Sequence, residues 1–251
     1  MFPAQFDYIK SYQKKSGFCL FEAGDCRGRY MIKCTPSEDT AAVSALQDEY
    51  ACLSALSHPS IPRYHGIKEH FSPETGADFT AVCMDYCRGK SLYRLAGALT
   101  PTVLARVLYR TGRVLEFLLH HGILYTDLHP SNILIKDETA SDPEITLLDY
   151  TYCYYFRRNP RPVYGLRFSY RATPSLKGQQ LLIQELALLA EDLSSIRADR
   201  QDKGTVGRDA EKKEGSSLPS SFYLLIETGR HPGPDLFLSD YLSMISESFS
   251  V

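Results

Sequence analysis

Asp127 and Asn132 lie five residues apart in the stretch His121-Gly-Ile-Leu-Tyr-Thr-Asp-Leu-His-Pro-Ser-Asn-Ile-Leu-Ile135, flanked by apolar runs that would pin the loop to a core. A second acid, Asp149, follows the apolar run that starts at Ile145. Phosphoryl transfer asks a protein chiefly for positioning and for neutralisation of charge. An acid that orients a hydroxyl, with an amide and a second acid that hold magnesium, is the minimum equipment for it. These residues predict an ATP-dependent phosphotransferase. The competing reading is three polar caps on buried strands. His129 and Tyr125 share the loop, and His129 either touches a phosphate or the acceptor or simply packs.

Further upstream, Lys33 stands between Ile32 and Cys34 in a strand-like segment. Taken alone, such a lysine points to solvent on an edge about as often as not. Glu49 changes this, because it shares a helix side with Leu46, Leu53 and Leu56 and so faces inward. A buried carboxylate needs a cationic partner. Lys33 is the natural one, and a Lys–Glu pair presents an ammonium to phosphate oxygens. In Lys15-Ser-Gly-Phe-Cys-Leu-Phe21 the backbone at Gly17 and Phe18 could approach phosphates, and an ordinary hairpin turn explains the glycine equally well.

The elements that must position these groups follow from periodicity. Residues 6–35 alternate apolar and polar side chains, with turn signals at Ser16-Gly17 and Gly24–Gly28, and predict an antiparallel meander ending in Tyr30–Cys34. Ser37–Leu56 predicts a helix stopped by His58-Pro59. Strands are expected around 64–70 and 79–84, before a break at Gly89. Thr100-Pro101 opens a long helix through His120, with Leu104, Val107, Leu108, Leu115, Leu118 and Leu119 on one face. Short strands follow at 133–135 and 145–148. Residues 150–175 predict an ordered surface loop, given basic character by Arg157, Arg158, Arg161, Arg167 and Arg171. It is either solvated or a reader of acidic partners. Gln179–Ile196 predicts a helix, Asp199–Ser221 a flexible insertion, and 222–226 and 236–249 more helix. A strand-rich part with one helix precedes a mainly helical part.

The chain's 251 residues suffice for one large domain or two small lobes. A net charge of −2 gives no electrostatic case for nucleic acid or a membrane surface. No apolar run is long enough to span a bilayer, and residues 1–17 carry no secretory pattern. The seven cysteines are odd in number and scattered, without a Cys-x-x-Cys pair. They predict reduced thiols in the cytoplasm and no zinc site.

At these residues the chain resembles the eukaryotic-type protein kinase superfamily. Tyr-Met-Ile-Lys33 is similar to the V-A-I-K strand. Glu49–Ile61, with its His58-Pro59, resembles the C helix and the turn after it. Ala81–Leu92 resembles the hinge, Tyr125–Asn132 the catalytic loop H-R-D-L-K-P-x-N, and Asp149-Tyr-Thr151 the D-F-G segment. Leu225–Pro232 resembles the end of the F helix, with Asp192 a possible start. The resemblance implies an α+β, two-lobed protein kinase-like fold. It would have a small antiparallel-sheet N-lobe with one helix (1–87) and a mainly helical, truncated C-lobe (88–251). It implies ATP and Mg2+ as cofactors and a protein substrate carrying a serine or threonine. It makes Met84 the gatekeeper, pairs the Asp85 carbonyl and Cys87 N–H with adenine, and gives Asn132 and Asp149 the magnesium. Asp127 orients the acceptor, with Lys33, Glu49 and His129 in the catalytic set.

Departures are written into the same motifs. Thr126 replaces an arginine that in many kinases reads activation-loop phosphorylation. His129 replaces a lysine, Thr151 replaces the D-F-G glycine, and Tyr170–Ser175 only partly resembles the A-P-E region. Asp-Leu-His-Pro-Ser-Asn also resembles the aminoglycoside and choline phosphotransferase branch, which makes a small-molecule acceptor the alternative. A nucleotide-binding pseudokinase is the third reading.

Overall fold

Alternation between Tyr8 and Pro36 produces three successive antiparallel strands: β1 (Tyr8–Lys15), β2 (Phe18–Asp25) and β3 (Gly28–Pro36). The computed structural model describes residues 6–15, 17–72, 76–137, 139–155, 176–204, 218–233 and 235–249. Helix α1 (Thr40–Leu53) follows, then β4 (Tyr64–Ser72) and β5 (Ala77–Asp85). The sheet order is β1-β2-β3-β5-β4, so β3 is an interior strand hydrogen-bonded on both sides. That placement, rather than an edge, is why Lys33 is buried. Helix α1 is shorter than the predicted 37–56. It starts where the Asp39 carboxylate accepts from the Ala42 N–H at 3.0 Å, satisfying one of the orphan donors of its first turn.

Past Gly89 come β6 (Lys90–Ser91), the short α2 (Leu92–Leu95) and the long α3 (Pro101–His120). Thr100 caps α3 by accepting from the Val103 N–H, and Pro101 occupies the first turn, where its missing donor costs nothing. The predicted stripe is buried: Leu104, Val107, Leu108, Leu115, Leu118 and Leu119, with Val114. Strand β7 (Ile123–Leu124) leads to a 3-10 turn at Pro130–Asn132 and to the hairpin β8 (Ile133–Ile135) and β9 (Ile145–Leu147). β10 (Tyr154–Tyr155) pairs with β7, and β6 pairs with β8.

Helices α4 (Leu176–Gly204), α5 (Ser220–Arg230) and α6 (Leu238–Phe249) complete the described chain. Two expectations are corrected here. Helix α4 continues to Gly204, past the predicted boundary at Asp199, and α5 already begins at Ser220. Arg200, Gln201 and Lys203 are good helix formers, so the helix extends without an apolar stripe to announce it. Asp192 lies inside α4 and starts no helix. Residues 205–217, the five arginines from Arg157 to Arg171, and Tyr170–Ser175 lie outside the described residues.

The chain divides into two units. The first comprises the residues up to Arg88 together with Tyr150–Tyr152; the second comprises Gly89–Asp149 and the residues from Cys153 onward. In the first, Leu46, Leu53, Val82 and Cys83 are buried, as is a cluster of Ala23, Ile32, Cys34 and Ala81. In the second, α3 packs against α4, α6, β7 and β9. The fold is α+β, a small antiparallel-sheet unit with one helix and a mainly helical unit, as the resemblance implied. Among the described residues no helix is long and apolar enough to cross a membrane.

Candidate active site

In the first unit the Lys33 ammonium lies 3.2 Å from Glu49 Oε2. The two side chains come from the interior strand β3 and from the inward face of α1, and both are buried. Glu49 has more than one donor. The Tyr64 hydroxyl donates to its Oε1 at 2.7 Å, and the Thr151 hydroxyl donates to its Oε2 at 2.8 Å. Thr151 Oγ1 also accepts from Lys33 Nζ. A carboxylate removed from water is tolerable only with such partners. The buried Phe18 ring has its centroid 5.1 Å from Lys33 Nζ, so Phe18 belongs to the lysine's surroundings. Gly17, exposed and with φ 84°, takes the left-handed conformation between β1 and β2, and its carbonyl accepts from Thr35 Oγ1 at 3.3 Å.

The segment expected to be the hinge continues from the interior strand β5 of the same sheet. Met84 is buried on β5, opposite Met31 and Tyr64 in the strand register. The Asp85 N–H donates to the Arg63 carbonyl at 2.9 Å, and the Asp85 carboxylate lies 2.6 Å from His65 Nε2. Cys87 directs its thiol to the Asp85 carbonyl at 3.7 Å. The Tyr86 N–H donates to the Arg29 carbonyl, and the Arg29 guanidinium stacks 3.9 Å over the Tyr86 ring. Glu22 holds that guanidinium from below. Burial works to raise the Glu22 pKa, but hydrogen bonds from Arg29, Lys10 and Tyr8 outweigh it and hold the carboxyl below its ordinary value.

The second unit carries the acid–amide pair. Buried Asn132 donates from Nδ2 to Asp127 Oδ2 at 3.0 Å and to the Asp127 carbonyl at 3.1 Å. Both contacts use the amide nitrogen, which turns the amide oxygen away from Asp127. Pairing of β8 with β9 places Asn132 beside the end of β9, where the Leu148 N–H donates to the Asn132 carbonyl at 2.8 Å. Tyr125, fully buried, donates its hydroxyl to the Leu148 carbonyl. Leu148 is thus held from both sides, immediately before Asp149. Asp149 has φ 61°, the one positive value for a non-glycine among the described residues, a left-handed backbone that costs a residue with a side chain free energy. His129 Nδ1 accepts from the Ser131 N–H at 3.2 Å, so Nε2 carries the hydrogen; that atom is 3.8 Å from Asp127 Oδ2. The histidine therefore both caps the turn and faces the acid.

Reading the sequence missed Tyr64, and it named Tyr125 and Thr151 without their contacts. Thr151 was visible as a departure from a pattern; nothing in the sequence marks Tyr64.

The protein kinase domain family model matches residues 24–184, well over half of the chain. The chain belongs to the protein kinase domain family. Its relatives include mitogen-activated protein kinase kinase kinase kinase 3 of Homo sapiens, 31% identical over 117 residues, which are 45% of this chain and 12% of that one. Serine/threonine-protein kinase PknG of Mycolicibacterium smegmatis is 32% identical over 108 residues, 41% and 13% of the two chains. MAP kinase kinase kinase SSK2 of Saccharomyces cerevisiae is 32% identical over 95 residues, 36% and 6%. The matched segments therefore span only a small part of these relatives.

The donor set fits the kinase cofactors. Magnesium takes one or two protein oxygens and fills its shell from water and phosphates. The Asp149 carboxylate and the Asn132 amide oxygen are hard oxygen donors of that kind, and the Lys33 ammonium is a point charge suited to phosphate.

Proposed function

We propose that this protein kinase uses magnesium-bound ATP and transfers the γ-phosphoryl group to a serine or threonine hydroxyl of a protein. The observation that carries the reading is the Asn132–Asp127 pair, anchored beside Leu148-Asp149, together with the buried Lys33–Glu49 pair. ATP supplies the phosphoryl group, and magnesium neutralises the charge on it. The first unit is then the nucleotide-binding lobe and the second the one that carries the transfer chemistry.

Asp127 accepts a hydrogen bond from the attacking hydroxyl and takes its proton as the oxygen bonds to the γ-phosphorus and the bond to the ADP oxygen breaks. Asn132 holds Asp127 in place through Nδ2 and offers Oδ1 to magnesium beside Asp149. Lys33, oriented by Glu49, binds phosphate oxygens. The backbone at Gly17 and Phe18 borders the phosphates, Met84 lines the adenine pocket, and the Asp85 carbonyl and Cys87 N–H pair with the base. His129 completes the set beside Asp127. Serine/threonine specificity is supported by the names of the relatives, and thiols free of disulfides suit a reducing compartment such as the cytoplasm.

One observation favours a second reading. His129, which faces Asp127 across 3.8 Å, stands where protein kinases carry lysine and where small-molecule phosphotransferases carry histidine. Incubation with γ-labelled ATP and magnesium separates the readings. Label in protein with the wild type, and none with Asp127→Ala or Asp149→Ala, supports a protein kinase. Label only in added small hydroxyl compounds selects the second reading. Nucleotide-dependent thermal stabilisation with no transfer leaves a pseudokinase.

A further inference from the structure

Thr151 closes a ring of three buried side chains in the first unit. Its hydroxyl donates to Glu49 Oε2 at 2.8 Å and accepts from Lys33 Nζ, which itself reaches the same carboxylate oxygen at 3.2 Å. The family's pattern has glycine at this position, which offers no hydroxyl. The contact is long-range, joining residues 118 apart in sequence, and it puts Tyr150–Tyr152 with the sheet unit.

We infer that Thr151 is a positioning residue for the phosphate-facing lysine. A lysine ammonium is a compact charge on a flexible four-carbon stem, and one carboxylate fixes its distance better than its direction. A second acceptor from a different segment fixes the direction as well. Glu49 is a firm base for this, because Tyr64 holds its other oxygen at 2.7 Å. The carboxylate therefore cannot turn to follow the lysine without giving up the tyrosine. All members are at most 6% exposed, so water does not compete effectively for these bonds. Thr151 thus shares with Glu49 the task that the family's pattern leaves to the Lys–Glu pair.

This inference rests on the kinase reading above, and the test keeps the two apart. In the full chain, KM for ATP and kcat are measured for wild type, Thr151→Val, Thr151→Gly and Thr151→Ser, with melting temperatures alongside. Removing one hydrogen bond to a charged group costs about a factor of ten in the equilibrium it supports. Thr151→Val, which keeps the shape and loses the hydroxyl, raises KM for ATP about tenfold, and kcat changes much less. Thr151→Ser brings KM back to within about threefold of wild type, a rescue that a packing role for the methyl group would not give. If Thr151→Val does not fold, Thr151→Gly gives the same reading, since it too lacks the hydroxyl. Wild-type KM in both hydroxyl-free variants overturns the inference and leaves the kinase reading standing. Equal losses in the valine and serine variants also overturn it. Absence of ATP binding and transfer in the wild type overturns both.

Discussion

One residue makes opposed demands on the chain. Asp149 sits at φ 61°, where a non-glycine residue is strained. Glycine relieves the strain but costs more order on folding, and it removes the carboxylate. Asp149→Gly is therefore expected to be stabilised by about 0.5–1 kcal/mol while losing phosphoryl transfer, as chemical denaturation and an activity assay would show together. A variant that is both less stable and inactive would mean the conformation is not a cost carried for function. The thiols show a different residue-scale effect. Burial pushes Cys34 up to about 11, with neighbouring Cys19 adding to it, and burial pushes Cys83 up to about 12. In the unfolded chain both titrate near the ordinary value of 9.0. The folded state therefore keeps protons that the unfolded chain has lost once the pH exceeds that value. The stability from this source is complete below about pH 9 and falls as the pH rises through 11 and 12. Denaturation midpoints should decline over that range, and replacing Cys83 with alanine should flatten the decline; an unchanged slope would contradict the assignment.

Among the elements, close approaches decide what a position tolerates. Gly89, the first residue of the helical unit, has φ 142°, and a Cβ there would lie 2.5 Å from the Ile135 carbonyl oxygen. That atom belongs to β8, which also pairs with β6, so the backbone has little room to move. Gly28 at the start of β3 faces open space. Gly89→Ala should cost about 1–3 kcal/mol or more in urea denaturation, and Gly28→Ala less than about 1. Equal costs would mean the β6–β8 contact is looser than described. Much at this scale was legible from periodicity. The meander, α1, α3 and the short strands β8 and β9 all follow from apolar spacing and turn residues, and the pairing of β8 with β9 was added by the structure. The two-residue strands β6, β7 and β10 did not, because they are too short for any alternation and exist only through their partners. The end of α4 was missed for the opposite reason: its last residues favour helix by propensity without an apolar stripe in the sequence.

At the scale of the whole molecule, the candidate site was legible where an acid, an amide or a lysine carries both the chemistry and the sequence signal. Asp127, Asn132, Lys33 and Glu49 stood out by type and spacing, and the Lys33–Glu49 pair is the one the sequence predicted, whereas the hydrogen bond from Asn132 to Asp127 was not foreseen. The supporting contacts were not legible. Tyr64 on Glu49 and Tyr125 on the Leu148 carbonyl are chosen by tertiary geometry, and an ordinary buried tyrosine looks the same in sequence. The family membership fits the proposed transfer of a phosphoryl group; one unit holds a buried, oriented ammonium and the other an anchored acid–amide pair. The most direct test is transfer of label from γ-labelled ATP, with magnesium, to protein by the wild type and by Asp127→Asn, a substitution that keeps size and hydrogen-bonding shape. The account predicts labelled protein for the wild type and a rate lower by about 100- to 10,000-fold for the variant, the usual worth of a positioned general base. Equal rates for the two proteins, or no transfer to any hydroxyl by the wild type, would contradict it.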